Sequence, residues 1–512
     1  MRALRAPAAL AAMATAVLVS IIATVPMVVS GNLGRDSGVF LYTGMVTARG
    51  GMPYVDSWDH KGPLLAAIEA VAWRIGGGIV GAPLLEGLAL ALGLAVAGVL
   101  WSRRLGLWAV LAIGLTGVSY LAVFEGGNFT ETWLFPVQVV AYSVVAEAAL
   151  RVGKEPSARL AALVGAVVGM ALAVGLFTRM NNVLGLLALT VLIFIVSRRR
   201  VLFVVVVSTV VVLVGGALIL WLWSGDALRA AADQYLRYNL FYSGGAPASE
   251  RLAAFTTLAQ ILVSSAVVAV LGLALVAGAI HRCRQDAAPT RAGVIAVAFL
   301  GVGVIDALSQ MVSGRPYPHY LVVAIAGFAV ALVVVASPLV PAVPPGWAAR
   351  LLTRRALPVA ASIMAVIALA LSSSVAASAY GLWFRSDAGA FVAGSYQQQI
   401  IDRVIAETSP DDRVLVHGAE TWILAAADRL SPTPITYSLP VEQAYGGLPQ
   451  QYFNDIVSRP PALIVESPTS CGISNWCPPE KDHFPQLDIF VTGSYQLEGE
   501  IVGFKFWRRV AD

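Results

Sequence analysis

The chain has 512 residues, of which 58% are hydrophobic and only 12% charged, with a mean hydropathy of +0.76. Ordinary soluble domains carry roughly 45–50% apolar and about 25% charged residues, so this composition excludes a water-soluble globule and points to a membrane protein. The formal charge of +4 comes mostly from short Arg clusters between apolar runs, which excludes the basic face that a nucleic-acid partner requires.

A membrane-spanning helix needs about 20 apolar residues. Runs of that character cover 8–30, 82–101, 107–124, 132–150, 160–177, 183–197, 201–223, 259–280, 292–311, 320–340 and 356–377, eleven predicted spans in all, and none follows residue 378. The first run, about 23 residues behind Arg2 and Arg5, exceeds the 7–15 of a signal-peptide core and reads as a retained span. Between it and the second run lies 31–81. There Val39, Phe40, Leu41, Met45 and Val46 predict a short amphipathic helix on the membrane surface, with Asp36 or Ser37 near its start.

The segment 62–80, flanked by Lys61 and carrying Glu69 and Arg74, reads as a second helix lying in the outer leaflet. Counting it as a span would invert everything downstream. Arg103 and Arg104, then Arg151, Lys154 and Arg159, Arg198 to Arg200, Arg282, Arg284 and Arg291, and Arg350, Arg354 and Arg355 fall in every second connection, as do Arg2 and Arg5. By the positive-inside rule those connections are cytoplasmic. The N-terminus is then inside, and 31–81, 125–131, 178–182, 224–258, 312–319 and the tail face outward.

The tail, 379–512 beyond the membrane core of 1–378, predicts a small extracytoplasmic α/β domain. Helical spacing covers Gln398 to Thr408, Thr421 to Leu430 and Gln450 to Arg459. Strands are predicted at Val414 to Gly418, at Ala462 to Val465 after Pro460-Pro461, at Ser494 to Leu497 and at Phe504 to Arg508. Cys471 and Cys477 lie close together here, where oxidation permits a small-loop disulfide. Only the distant His483 would add to them as a metal ligand. Cys283 is expected to be cytoplasmic and free.

The densest set of ionisable residues is in the first outward connection: Gly34-Arg35-Asp36-Ser37, then Gly50-Gly51-Met52-Pro53-Tyr54-Val55-Asp56-Ser57-Trp58-Asp59-His60-Lys61-Gly62-Pro63-Leu64. Asp36 has two compatible readings, a helix cap or a carboxylate kept ionised by the helix dipole. An Asp soon after the first span, followed by Gly-Gly-x-Pro-Tyr-x-Asp-x-x-Asp-His-Lys-x-Pro-Leu, resembles the GT-C superfamily of polyprenyl-phosphate-dependent glycosyltransferases. The closer likeness is to its bacterial protein-mannosyltransferase and lipid A aminoarabinose-transferase branch. Gly126-Gly127-Asn128-Phe129-Thr130-Glu131, Arg315-Pro316-Tyr317-Pro318-His319-Tyr320, and the tail pattern of His417-Gly418, Arg429 and Pro460-Pro461 extend the likeness. Gly62 stands where many relatives have Pro, and Ser37 where some have an acidic residue.

The resemblance implies a many-span membrane core joined to an outward soluble domain. It also implies transfer of a sugar from a polyprenyl-phosphate donor to a hydroxyl of a cell-envelope glycan, lipid or protein at the outer face of a bacterial plasma membrane. Such a transfer needs a base for the acceptor hydroxyl and positive charge for the departing phosphate. Asp36 is the candidate base, and Glu131 could orient the acceptor or assist. Lys61, one of four lysines in the chain, is the first candidate for the donor phosphate, against the plainer reading that it snorkels to lipid headgroups. Arg179, Arg315 and His319 are second candidates, each equally an interfacial anchor.

Asp56, Asp59, His60 and Tyr317 would support the site, with Asp56 bonded within its own loop. Asp36 and Glu131 could share a divalent cation, magnesium or manganese, through oxygen ligands. No tight Asp-x-Asp cluster occurs, so metal dependence stays open. Glu69, Glu86 and Asp306 lie at or near membrane depth, where an ionisable group suggests function. Trp58, Trp73, Trp133 and Trp383 fit an interfacial aromatic belt. Two other classes compete: a transporter or flippase of lipid-linked sugars, and a non-catalytic envelope-assembly protein. The gathering of polar residues on one side, without internal repeats, favours an enzyme.

Overall fold

In the computed structural model the described residues are 2–31, 34–151, 157–244, 247–264, 291–311, 314–337, 389–475 and 485–510. Among them seven helices are long and apolar enough to cross a membrane: Ala6–Ser30, Gly81–Leu105, Thr130–Ala149, Ala158–Thr178, Arg200–Ser224, Ala292–Gln310 and Pro318–Ala336. The chain is a polytopic helical membrane protein with a small C-terminal sheet domain.

Eleven predicted spans meet seven long helices for identifiable reasons. Two of the runs fold as shorter apolar helices, Trp108–Leu121 and Met180–Val196. At 1.5 Å per residue, 14 residues reach only about 21 Å of the roughly 30 Å hydrocarbon core. The run 259–280 enters only through the end of the Ala248–Ser264 helix, and 356–377 lies outside the described residues. So do Lys154, Arg282, Cys283, Arg284, Arg350, Arg354, Arg355, Trp383, Cys477 and His483.

By its internal contacts the chain divides into two compact units. One comprises Met1–Val25, Glu86–Ala217 and Tyr242–Gly381; the other comprises Pro26–Leu85, Leu218–Phe241 and Leu382–Asp512. The first unit is helix packed on helix, with small residues at the closest crossings. Gly93 meets the backbone of Pro136, Gly303 and Gly327 meet each other, and Gly165 meets the backbone of Phe203. Such backbone approach replaces the hydrophobic driving force that lipid does not supply.

In the second unit the first connection and the tail are packed together. The Arg35–Ala48 helix has all ten residues from Ser37 to Val46 buried. It is therefore enclosed, where an amphipathic surface helix would keep one face open. Two glycines permit this: a Cβ on Gly38 would stand 2.5 Å from the Trp422 backbone nitrogen, and one on Gly44 would stand 2.6 Å from the Glu69 Cβ. The Pro63–Gly76 helix begins with Pro at its first position after an extended Gly62 and stops at Gly77 in the left-handed conformation, the usual asymmetry of helix ends.

The sheet has four strands in the order β1-β2-β4-β3: β1 Val414–His417, β2 Leu463–Glu466, β3 Tyr495–Ile501 and β4 Phe504–Arg509. β1 and β2 run parallel, and the other pairs are antiparallel. β1 and β2 are buried throughout, as strands covered on both faces should be. β3 and β4 turn through Val502 and Gly503, both at positive φ, the two-residue hairpin geometry that matches strand twist. Cys471 is in a disulfide.

Replacing Gly38 by Val should force the Arg35–Ala48 helix away from the Trp422–Ala427 helix. Overpacking of this kind costs about 1–3 kcal/mol. The expected outcome is a melting temperature several degrees lower for the detergent-solubilised protein; an unchanged melting temperature would mean that the two helices do not meet this closely.

Candidate functional site

Asp36 sits in the first turn of the Arg35–Ala48 helix, whose N-cap is Gly34 with no side-chain capping bond. The capping reading of Asp36 therefore fails. Its side chain is exposed and makes no hydrogen bond or ion pair with any described residue. Arg35 beside it is committed, donating through Nε to Glu420 Oε1 at 3.0 Å and through Nη2 to Thr469 at 3.1 Å.

The loop that follows is fixed by bonds to distant parts of the same unit. Gln234, in a six-residue π-helical turn over Ala232–Arg237, donates to the Tyr54 carbonyl at 2.7 Å and accepts from the Asp59 N–H at 3.1 Å. Asn239 donates to the His60 carbonyl at 2.6 Å, and the Trp58 N–H donates to the Pro434 carbonyl at 2.8 Å. Tyr54, held at φ 71°, donates its hydroxyl to the Lys61 carbonyl at 2.6 Å. Trp58 is buried with its ring edge-on to Tyr238 at 4.8 Å, so it belongs to this core and not to an interfacial belt. Asp56 accepts from the Met52 N–H at 2.7 Å and stabilises the turn.

Three ionisable residues then follow in succession. The Asp59 carboxylate is 6% exposed and accepts from the Lys61 N–H at 3.2 Å. Burial raises its pKa to about 6; the Lys61 charge and backbone N–H groups of Lys61 and His60 oppose the rise, and the Asp36 charge adds to it. His60 lies between Tyr437, whose hydroxyl is 2.9 Å from Nδ1, and the Lys61 ammonium, 3.1 Å from Nε2. An ammonium can only donate, so Nε2 accepts and the ring proton is on Nδ1, directed at the Tyr437 oxygen.

The remaining predicted residues gather in the first unit. Glu131, buried in the first turn of the Thr130–Ala149 helix, is ion-paired with Arg179. The Arg179 guanidinium also lies 4.1 Å over the Tyr320 ring, so it is not a solitary interfacial anchor. His319 is buried, with Nδ1 2.6 Å from Glu125 Oε2, and stacks on Phe129 at 3.8 Å. The Tyr317 ring is also near-parallel to His319, at 5.5 Å between centroids. Arg315 is exposed and donates to the Tyr242 oxygen. The elements 126–131 and 315–320, far apart in sequence, thus meet in one cluster. Four consecutive residues, Glu125, Gly126, Gly127 and Asn128, have positive φ and bring Glu125 to His319.

Glu86 and Asp306 have structural work. Glu86 accepts from the Asn128 N–H at 2.6 Å and the Tyr120 hydroxyl at 3.3 Å. Asp306 accepts from the Gly185 N–H, Gln138 and Tyr142 at 2.9–3.0 Å. Both are buried and tie helices together. Trp133 is also buried, donating to Asn128 at 3.1 Å. His417 donates from Nε2 to the Cys471 carbonyl at 2.6 Å and accepts from Tyr452 at Nδ1. Burial lowers its pKa, which fits a neutral structural imidazole. Among the described residues no three His, Cys, Asp or Glu side chains converge as a metal site. Asp36 and Glu131 belong to different units. Gln234, Tyr437 and Glu125 have no role in the sequence reading of the site.

No protein-family model and no curated protein matches the chain.

The raised Asp59 pKa fixes the sign of a stability change. The folded protein holds the Asp59 proton more tightly than the unfolded chain, so this group's stabilisation is complete below about pH 4 and is lost as the pH rises through about 6. Asp59→Asn should remove that loss. Above pH 7 the variant is expected to gain up to about 2–3 kcal/mol relative to its difference at pH 4; equal pH profiles of unfolding for the two proteins would contradict the assignment.

Proposed function

We propose that this protein is an inverting membrane glycosyltransferase of the GT-C kind, moving a sugar from a polyprenyl-phosphate donor to a hydroxyl of a cell-envelope glycan, lipid or protein. The reading includes eleven spans in a bacterial plasma membrane, a cytoplasmic N-terminus and an extracytoplasmic C-terminal domain. The observation that carries it is an exposed Asp36 carboxylate that bonds to no described residue, in the same compact unit as Lys61, whose ammonium is 3.1 Å from His60 Nε2.

In this mechanism the acceptor hydroxyl loses its proton to Asp36 as its oxygen bonds to the anomeric carbon. The bond from that carbon to the phosphate oxygen breaks, and its electron pair leaves with polyprenyl phosphate. Direct displacement inverts the anomeric configuration. The leaving phosphate gains negative charge, so an ammonium beside it stabilises the transition state more than the ground state. Lys61 is the cation for this purpose. Its backbone is held by Asp59 and Tyr54, and its Nζ by His60, so little reorganisation accompanies the reaction. Magnesium or manganese dependence is a separate matter, decided by activity after chelation.

Asp36→Asn should lower release of polyprenyl phosphate from a polyprenyl-phospho-sugar by about 10²–10⁴-fold, the usual weight of a general base. Full activity in that variant would remove the base from the scheme. Lys61→Ala should weaken turnover or donor binding, whereas kinetics indistinguishable from the parent would move the phosphate contact to another residue. A flippase would move the donor without releasing polyprenyl phosphate, so the same assay separates the two classes.

A further inference from the structure

A cleft of about 740 Å³ opens at one edge of the C-terminal sheet, with Arg413, Arg459, Arg508 and Arg509 facing Glu407, Asp411 and Asp412. It is separate from the loop that carries Asp59 and Lys61. Strand register explains how its arginines are placed. Val414 pairs with Leu463, and Leu463 with Arg508. One step further, the Ala462 N–H donates to the Arg413 carbonyl at 2.9 Å and the Arg509 N–H donates to the Ala462 carbonyl at 3.3 Å.

Arg413, Ala462 and Arg509 therefore form one row across three strands, with side chains on the same face. Two strand spacings put the Arg backbones about 10 Å apart. Between them the row has only a methyl group, so the floor of the cleft is open between two guanidinium groups.

The charges in this cleft are unequally committed. Glu407 accepts from Arg403 at 2.8 Å and pairs with Arg508 at 3.4 Å, and Arg508 also binds Glu498 at 2.8 Å. Asp412 accepts from the Ser409 N–H at 2.7 Å. Arg459 has a loose contact with Asp455 at 3.6 Å. Arg413 donates to the Ser431 carbonyl and has no carboxylate partner among the described residues. Arg509 is exposed and likewise has none. Two guanidinium groups thus remain without a carboxylate partner, opposed by Asp411 and by Asp412, whose charge the Ser409 N–H does not neutralise; what they offer an incoming anion is directed donors, not a large net charge. Val510 is the one sizeable aliphatic side chain in the lining, so the cleft lacks the apolar face that inserts into lipid.

The geometry points to a subsite for an anionic oligosaccharide, whose carboxylate or phosphate groups are taken by Arg413 and Arg509. Planar guanidinium groups suit both anions, because each presents paired donors in a fixed fork. The inference deepens the proposed transferase by naming a class of acceptor, and it rests on that reading for the oligosaccharide and its role as acceptor. Binding of the anionic groups stands on the cleft.

The test uses the full-length protein in detergent at low salt, titrated calorimetrically with a short oligogalacturonate as the carboxylate probe and with glycerol-phosphate oligomers as the phosphate probe. Binding of either is expected, weakening as salt is added. Arg509→Gln should reduce affinity at least about tenfold, and Arg413→Gln likewise. The Arg509 side chain makes no hydrogen bond or ion pair with a described residue, so its variant, which keeps the backbone bond to Ala462, keeps the test clear of misfolding. Asp36→Asn should bind as the parent does, which separates this site from the catalytic proposal: lost transfer with retained binding upholds the subsite. Failure of both probes to bind, affinity unchanged in Arg509→Gln, or binding only to anionic phosphatidylglycerol vesicles would each overturn it.

Discussion

A carboxylate withdrawn from water must be neutralised, hydrogen-bonded or left partly protonated, and Asp59 meets this constraint in a particular way. Its own loop supplies the Lys61 and His60 backbone donors and the Lys61 charge, while the nearby Asp36 charge works against them. The balance holds only while the loop keeps its path. That path depends on Gln234, whose amide bonds simultaneously to residues 54 and 59, and on Asn239, Pro434 and Tyr437. Removing these braces would let water reach Asp59 and release Lys61 from its fixed direction. The chemistry attributed to this loop consequently depends on residues well over a hundred positions away.

How residues are committed separates structural from available charge across the described chain. Glu86 and Asp306 are buried and satisfied by Tyr, Gln and backbone donors. An ion pair engages Glu131 with Arg179, and Arg35 is occupied by Glu420. Each of these partnerships uses up directed bonding capacity that a ligand would otherwise need. Asp36 differs from all of them, being exposed in the first turn of its helix and bonded to no described residue. Position in the membrane alone would have ranked Glu86 and Asp306 beside it.

Much of the secondary structure was legible because it has a local cause. The apolar run after Asp36 folds as Arg35–Ala48, and Val414 to Gly418 contains β1. The Pro460-Pro461 pair stands just before β2. Helix ends moved by a few residues, and Thr421 to Leu430 shortened to Trp422–Ala427, because Asp428 adopts the left-handed conformation that ends a helix. The enclosure of Arg35–Ala48 was not legible, since its hydrophobic pattern is equally that of a surface helix and only Gly38 and Gly44 hint at close approach. Trp58 and Trp133 misled for a related reason: Trp is common both at interfaces and in cores where its N–H finds a partner.

The candidate site was legible only as far as charge density reaches. Asp36, Asp59, His60 and Lys61 are conspicuous in so apolar a chain, and they do gather in one unit. Gln234 bonds with its side-chain amide to backbone atoms of the loop, and Pro434 accepts through its own carbonyl; backbone partners impose no pattern that a sequence can display. The His60 tautomer likewise follows from geometry: placing the ammonium on Nε2 obliges Nδ1 to carry the proton toward Tyr437. An imidazole in that state cannot also accept from a substrate at either nitrogen. His60 therefore serves Lys61 by orienting its ammonium, and the proton acceptor for the proposed reaction must be sought at Asp36, where the helix leaves a carboxylate open to solvent.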